Sequence, residues 1–144
     1  QVHMGSFIAE AQAKAGRWQE ALATFAETEK VSAQTGERYY LPELYRLRAD
    51  LRWHYAREGD AEERRTGADL ALADLQKALA IAQQQKATSL ELRSAMSLLS
   101  LQRDQGEDLD PAATRIKNLL AQLPHGVPGD LEEAQALLNE GMGG

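Results

Sequence analysis

The stretch Lys14-Ala-Gly-Arg-Trp-Gln-Glu-Ala-Leu-Ala-Thr-Phe-Ala-Glu27 decides the fold class. Gly16 interrupts two helix-forming runs, and glycine is the residue that adopts the left-handed conformation closing a helix at little steric cost. Beyond it, Ala21, Leu22, Phe25 and Val31 recur near helical spacing. Two further glycines punctuate similar contexts, Gly59 in REGDA and Gly106 in DQGED, at intervals of 43 and 47 residues. A helix pair repeated along the chain explains all three as left-handed hinges.

Working outward, the first pair is predicted over about 2–35, with helices from Val2 to Ala15 and from Trp18 to about Gln34, ending at Gly36. Trp18 is expected to close the joint between these two helices. A second pair spans about 41–85 and opens at Leu41 with Pro42, because proline in a first turn loses no intrahelical hydrogen bond. Leu44, Leu47, Leu51 and Tyr55 mark one face of its first helix at spacings of three and four. The segment Ala61 to Gly67 reads as an insertion at the turn; the alternative starts the helix at Asp60, with Glu63 completing a capping box. Leu72, Leu75, Leu79 and Ala82 then form a stripe.

The third pair, about 88–123, opens on a capping box of Thr88 and Glu91 and continues through Leu92, Ala95, Leu99 and Gln102. Asp110 is expected to cap the next helix, with Pro111 at its first position and Ile116, Leu119, Leu120 and Leu123 as its stripe. Pro124 to Gly129 form a loop. Asp130 with Glu133 opens a short capping helix over about 130–140, and 141–144 are a flexible tail. Strands are not expected, since no alternating apolar and polar run persists.

Composition agrees: 43% of the residues are apolar, 26% are charged, and aromatics are few. There is no cysteine, hence no disulfide framework or thiolate metal site, and a cytoplasmic address is the expectation. No apolar run approaches the roughly 20 residues that span a bilayer, so no membrane partner is expected. The net charge of −6 argues against a nucleic-acid surface. The start at Gln1 and the glycine-rich end read as a piece of a longer protein, and a vector origin for Gln1 to Ser6 stays open.

The second-helix spacing Ala21, Phe25, Thr28, repeated as Ala71, Leu75, Ala78 and as Ala112, Ile116, Leu119, resembles the tetratricopeptide (TPR) pattern. Small residues there let paired helices approach, and the larger one fills the gap between pairs. Arg52 stands where that pattern favours glycine. The segments KAGRWQEALATFAE, TGERYYLPELYRLRADL and KATSLELRSAMSLLSLQRDQG together resemble the C-terminal helical-repeat region of bacterial multidomain signalling proteins with class III nucleotide cyclase or AAA-type ATPase domains. The resemblance implies an all-α, TPR-like α-solenoid of about three antiparallel helix pairs plus a C-terminal capping helix, acting as a docking region without a reaction of its own.

The residues carry little catalytic chemistry. No P-loop and no G-x-S-x-G motif occur. Asp50, His54 and Glu58, four apart on one helix, would suit a metal or acid-base trio, but i,i+4 pairing on a polar helix face explains them better. His3 stands in the segment of open origin, and His125 reads as a surface loop histidine. Asp104, Glu107, Asp108 and Asp110 lack the order of a calcium loop. No enzymatic activity, cofactor or metal is expected.

Arg46, Arg48, Arg52 and Arg57 outnumber the acids of their helix. In a TPR-like arrangement a partner-binding groove is lined by Arg46, Trp53 and Arg57, joined by Glu10 and Lys14 from the first pair and by Arg93, Met96 and Ser100 from the third. Guanidinium beside indole suits carboxylate-bearing ligands. The competing reading buries Trp53 in the stack and pairs the arginines internally. The expected partner is a protein or an acidic, extended peptide; the alternative is a spacer or homodimer surface for upstream domains.

Overall fold

The structure, a computed structural model, describes residues 2–123 and 136–139. Among these residues all regular structure is helical: α1 (Val2–Lys14), α2 (Trp18–Thr35), α3 (Leu41–Ala56), α4 (Ala61–Gln84), α5 (Thr88–Asp104), α6 (Asp110–Gln122) and a helical segment at 136–139. No helix among them is long and apolar enough to cross a membrane.

Gly16 (φ 80°) ends α1 as expected, its N–H donating to the Ala13 carbonyl while Arg17 N–H donates to Gln12. That paired arrangement satisfies carbonyls a helix end would otherwise leave orphaned. Gly106 (φ 71°) does the same for α5, and Gly36 (φ 74°) closes α2. Gly59 departs from expectation: it is not left-handed, and α3 closes on Arg57 in the right-handed region. The equivalent turn between α4 and α5 is made by Lys86 at φ 57°, with Lys86 N–H on Gln83 and Ala87 N–H on Ala82. A side chain there strains the left-handed backbone. Lys86→Gly is therefore expected to stabilise the chain by about 0.5–1 kcal/mol, after the extra entropy of glycine in the unfolded chain is deducted. Urea denaturation checks this, and a loss of stability would show that lysine holds the turn without strain.

The reading of Ala61 to Gly67 as an insertion is corrected, since those residues form the first two turns of α4. Asp60 Oδ1 accepts from Glu63 N–H at 2.8 Å, and Glu63 Oε1 accepts from Asp60 N–H at 3.5 Å. Arg64 adds a bond to the Gly59 carbonyl at 2.7 Å. The capping box at Thr88 is also corrected: Ala87 is the cap residue without a side-chain bond, and Glu91 is instead buried against Arg115 at 3.1 Å. At α6 the cap residue is Leu109, and Asp108 rather than Asp110 supplies the carboxylate, accepting from Asp110 N–H at 3.1 Å.

All nine residues of the three second-helix triplets, from Ala21 to Leu119, are buried. The stripe on α3 is shifted: Leu44 is fully buried, Leu47 and Leu51 are half-buried, and Tyr55 is 36% exposed. Leu41, Leu44, Tyr45, Arg48 and Ala49 form the inward face instead. Arg48 turns inward because Asp74 of α4 receives its guanidinium in the interior.

Three apolar clusters fill the interior: one holds Ala9, Phe25 and Leu44, one Ala49, Ala71 and Leu75, and one Leu92, Leu99 and Ile116. Leu138 is buried in the last of these, with Leu137 packed beside it. The expected Asp130 capping box, the Pro124 to Gly129 loop, His125 and the tail lie outside the described residues. Helix α3 touches both α1 and α5, whereas no Cα of α2 comes within 8 Å of α4, nor of α4 within 8 Å of α6.

Candidate functional site

Helix periodicity brings Arg46, Asp50, Trp53 and Arg57 of α3 to one face, because they follow at three- and four-residue steps. Arg93, Ser97, Ser100 and Asp104 of α5 repeat that register 47 residues later. The two rows face one another across a cleft of about 450 Å³, floored by Ala71 and Leu75 of α4 and flanked by Met96, Leu101, Arg103 and Leu137.

Facing positions bond across the cleft. Ser97 Oγ donates to Asp50 Oδ2 at 3.3 Å, Trp53 Nε1 donates to Asp104 Oδ2 at 2.8 Å, and Arg57 Nη1 lies 3.9 Å from that same oxygen. At the other end, Glu43 receives Arg46 Nε and Arg93 Nη1, each at 2.5 Å, while Arg46 Nη1 also reaches Asp50 at 3.1 Å. Burial pushes the Glu43 carboxyl up, but the two guanidinium groups outweigh it and hold it below its usual range. Burial likewise disfavours charge on Arg46, and Glu43 and Asp50 more than compensate. The pair is thus firmly ionised and set in place.

Six of the eight expected groove residues, Arg46, Trp53, Arg57, Arg93, Met96 and Ser100, line this one cleft. Glu10 and Lys14 do not: they make an i,i+4 ion pair on α1 at 2.9 Å. Their positions lie 43 residues before Trp53 and Arg57, but α1 contributes no residue to this cleft. Trp53 both packs inward and lines the cleft. Its indole packs on the cluster of Ala49, Ala71 and Leu75, and its edge opens into the cleft.

The arginines divide in the same way. Arg48 and Arg52 are committed to Asp74 of the interior, and Arg46 is 20% exposed within its acidic pairings. Arg57 is different. Its side chain is 47% exposed, its nearest carboxylates stand at 3.8 and 3.9 Å, and it makes no side-chain hydrogen bond among the described residues. Four arginines and two aspartates line the cleft, and with Glu43 bound behind Arg46 and Arg93 the balance is one positive charge.

Asp50 faces Arg46 and Ser97, and His54 meets the Tyr55 ring edge-on. Among the described residues no group of three His, Asp or Glu side chains is arranged to hold a metal. Trp18, the first residue of α2, stacks on Tyr55 of α3, centroids 5.0 Å apart, and the Tyr55 hydroxyl donates to the Ala13 carbonyl near the end of α1. Ser97 and Asp104 were not foreseen as lining residues, although the 47-residue interval that pairs Gly59 with Gly106 carries Asp50 onto Ser97 and Arg57 onto Asp104. No protein-family model, curated protein or solved structure matches this chain.

Proposed function

We propose that the chain is a protein-interaction module of TPR-like, solenoid type whose α3/α5 cleft takes an acidic, extended segment of a partner protein. Direct contact within the row α1, α3, α5, and its absence within the row α2, α4, α6, supports a curved stack with the first row inside. The observation that carries the ligand class is Arg57: a half-exposed guanidinium with unused donors beside the Trp53 indole, at the lip of a positive cleft. A carboxylate of the ligand would take bidentate bonds there, with a neighbouring apolar side chain laid on the Trp53 indole. Placement in a larger bacterial signalling protein rests on the resemblance of the repeats, and a cytoplasmic address on the absence of cysteine.

The probe is a fluorescein-labelled, acetylated peptide of alternating glutamate and leucine, followed by anisotropy. Arg57→Glu is expected to weaken binding about 10-fold or more, the scale of one charge-assisted hydrogen bond. Arg93→Glu should act in the same direction, and Lys117→Glu on α6 should leave affinity unchanged. Affinity indifferent to both cleft substitutions would remove the assignment.

A further inference from the structure

Helix α3 borders a second cleft on another of its faces. Arg52, Tyr55 and Ala56 continue its inward stripe to the end of the helix, where α2 and α4 stand apart and leave the stripe uncovered. The opening is about 540 Å³. Its floor is the stacked pair Trp18 and Tyr55 with Leu22 and Ala56, and its wall is Leu70 with Gly67 of α4. Tyr55 and Leu70, 36% and 45% exposed, are two of the four large apolar side chains that the described surface leaves exposed, so apolar area is concentrated here.

The rim has the opposite sign to the first cleft. Asp60, Glu62 and Glu63 line it, and its one cation, Arg52, points its guanidinium away to Asp74 at 2.9 Å. Asp60 and Glu63 are engaged in capping α4, whereas Glu62 is exposed and makes no hydrogen bond or ion pair among the described residues. An apolar floor built of two aromatic rings under a carboxylate rim is complementary to a cation on an aliphatic stem: the stem lies on the rings, which attract the charge, and the head reaches Glu62.

We infer that this α2/α3/α4 groove docks a basic amphipathic segment of a partner protein, one that sets lysine or arginine beside leucine-type anchors. The site is separate from the α3/α5 cleft and does not depend on the reading given to that cleft. With both occupied, the chain joins an acidic and a basic segment on two faces of one helix.

A labelled, acetylated peptide of alternating lysine and leucine tests this on the full chain, with an all-lysine peptide of equal length as control. Expected results are preferential binding of the lysine-leucine peptide, a loss of about 10-fold on Leu70→Ser from the lost apolar anchor, and a loss of about 3-fold on Glu62→Lys from the reversed rim charge. The glutamate-leucine peptide should not displace it. Circular dichroism confirms folding of the Leu70 variant, and Glu62→Lys alters only an exposed side chain. Equal binding of both cationic peptides, no binding, indifference to both substitutions, or displacement by the acidic peptide each overturns the proposal.

Discussion

Replacing Asp74 by alanine is expected to destabilise the chain by about 3–5 kcal/mol, the scale for removing one partner of a buried ion pair. The Asp74 side chain is 3% exposed. Its carboxylate accepts Arg48 Nε at 3.0 Å and Nη2 at 2.8 Å, and Arg52 Nη1 at 2.9 Å. Without it, the Arg48 guanidinium, 9% exposed, keeps among the described residues Glu29 at 3.9 Å and the Tyr45 ring beneath it. Tyr45 donates to Glu29, and burial together with that bond pushes its phenol up to about 12. The network therefore ties α2, α3 and α4 together through charge that only Asp74 balances in the interior.

The favourable pairing is offset by the cost of desolvating three ions, so the network need not stabilise the fold relative to an apolar core. A triple variant, Arg48→Met, Arg52→Met and Asp74→Leu, is expected to regain most of what Asp74→Ala loses. Urea denaturation of both variants decides the matter. If Asp74→Ala costs under about 1 kcal/mol, the carboxylate is not the counter-charge assigned to it. If the triple variant is as unstable as the single one, packing rather than stranded charge is responsible.

The same residues mark how far the fold was legible in the sequence. Gly16, Gly36 and Gly106 act through backbone conformation alone, and Pro42 opens α3 where no N–H is needed, so their punctuation is readable without tertiary context. The triplets led by Ala21, Ala71 and Ala112 lie on buried stripes, and helical periodicity reports those directly. Arg48 and Asp74 broke that reading of α3 because a polar side chain at an inward position looks like solvent-facing surface until its partner, 26 residues away, is known. Lys86 takes the left-handed turn that the pattern assigns to glycine, and nothing local signals it. Residues 61–66 are all exposed and so carry no apolar stripe, although their capping chemistry marked the helix start. The first cleft was legible since it lies on one helix face and its register repeats. The second was not, because it depends on the gap between α2 and α4.

Gly67 shows what the misread segment contributes, and Gly67→Leu is expected to cost about 3 kcal/mol or more, at the upper end of overpacking effects. Glycine inside a helix is ordinarily a loss of about 0.5–1 kcal/mol against alanine, so Gly67→Ala on an open helix face would stabilise. Here a β-carbon would stand 2.1 Å from Ala56 Cβ, a separation that only a shift of α3 against α4 can relieve. Gly67 is where α4 comes closest to α3, against Ala56 and the Arg52 carbonyl. Gly5 against Thr28, where a β-carbon would stand 2.1 Å from Oγ1, plays the same part between α1 and α2. Gly67→Ala should accordingly destabilise by about 1–3 kcal/mol. Adding Ala56→Gly, itself costly by about 1 kcal/mol in an unaltered helix, should then restore stability rather than lower it further. A double-mutant cycle by urea denaturation reads this as a coupling of about 1–2 kcal/mol between the two positions. Additive losses, or a more stable Gly67→Ala protein, would mean that α3 and α4 do not cross at these two residues.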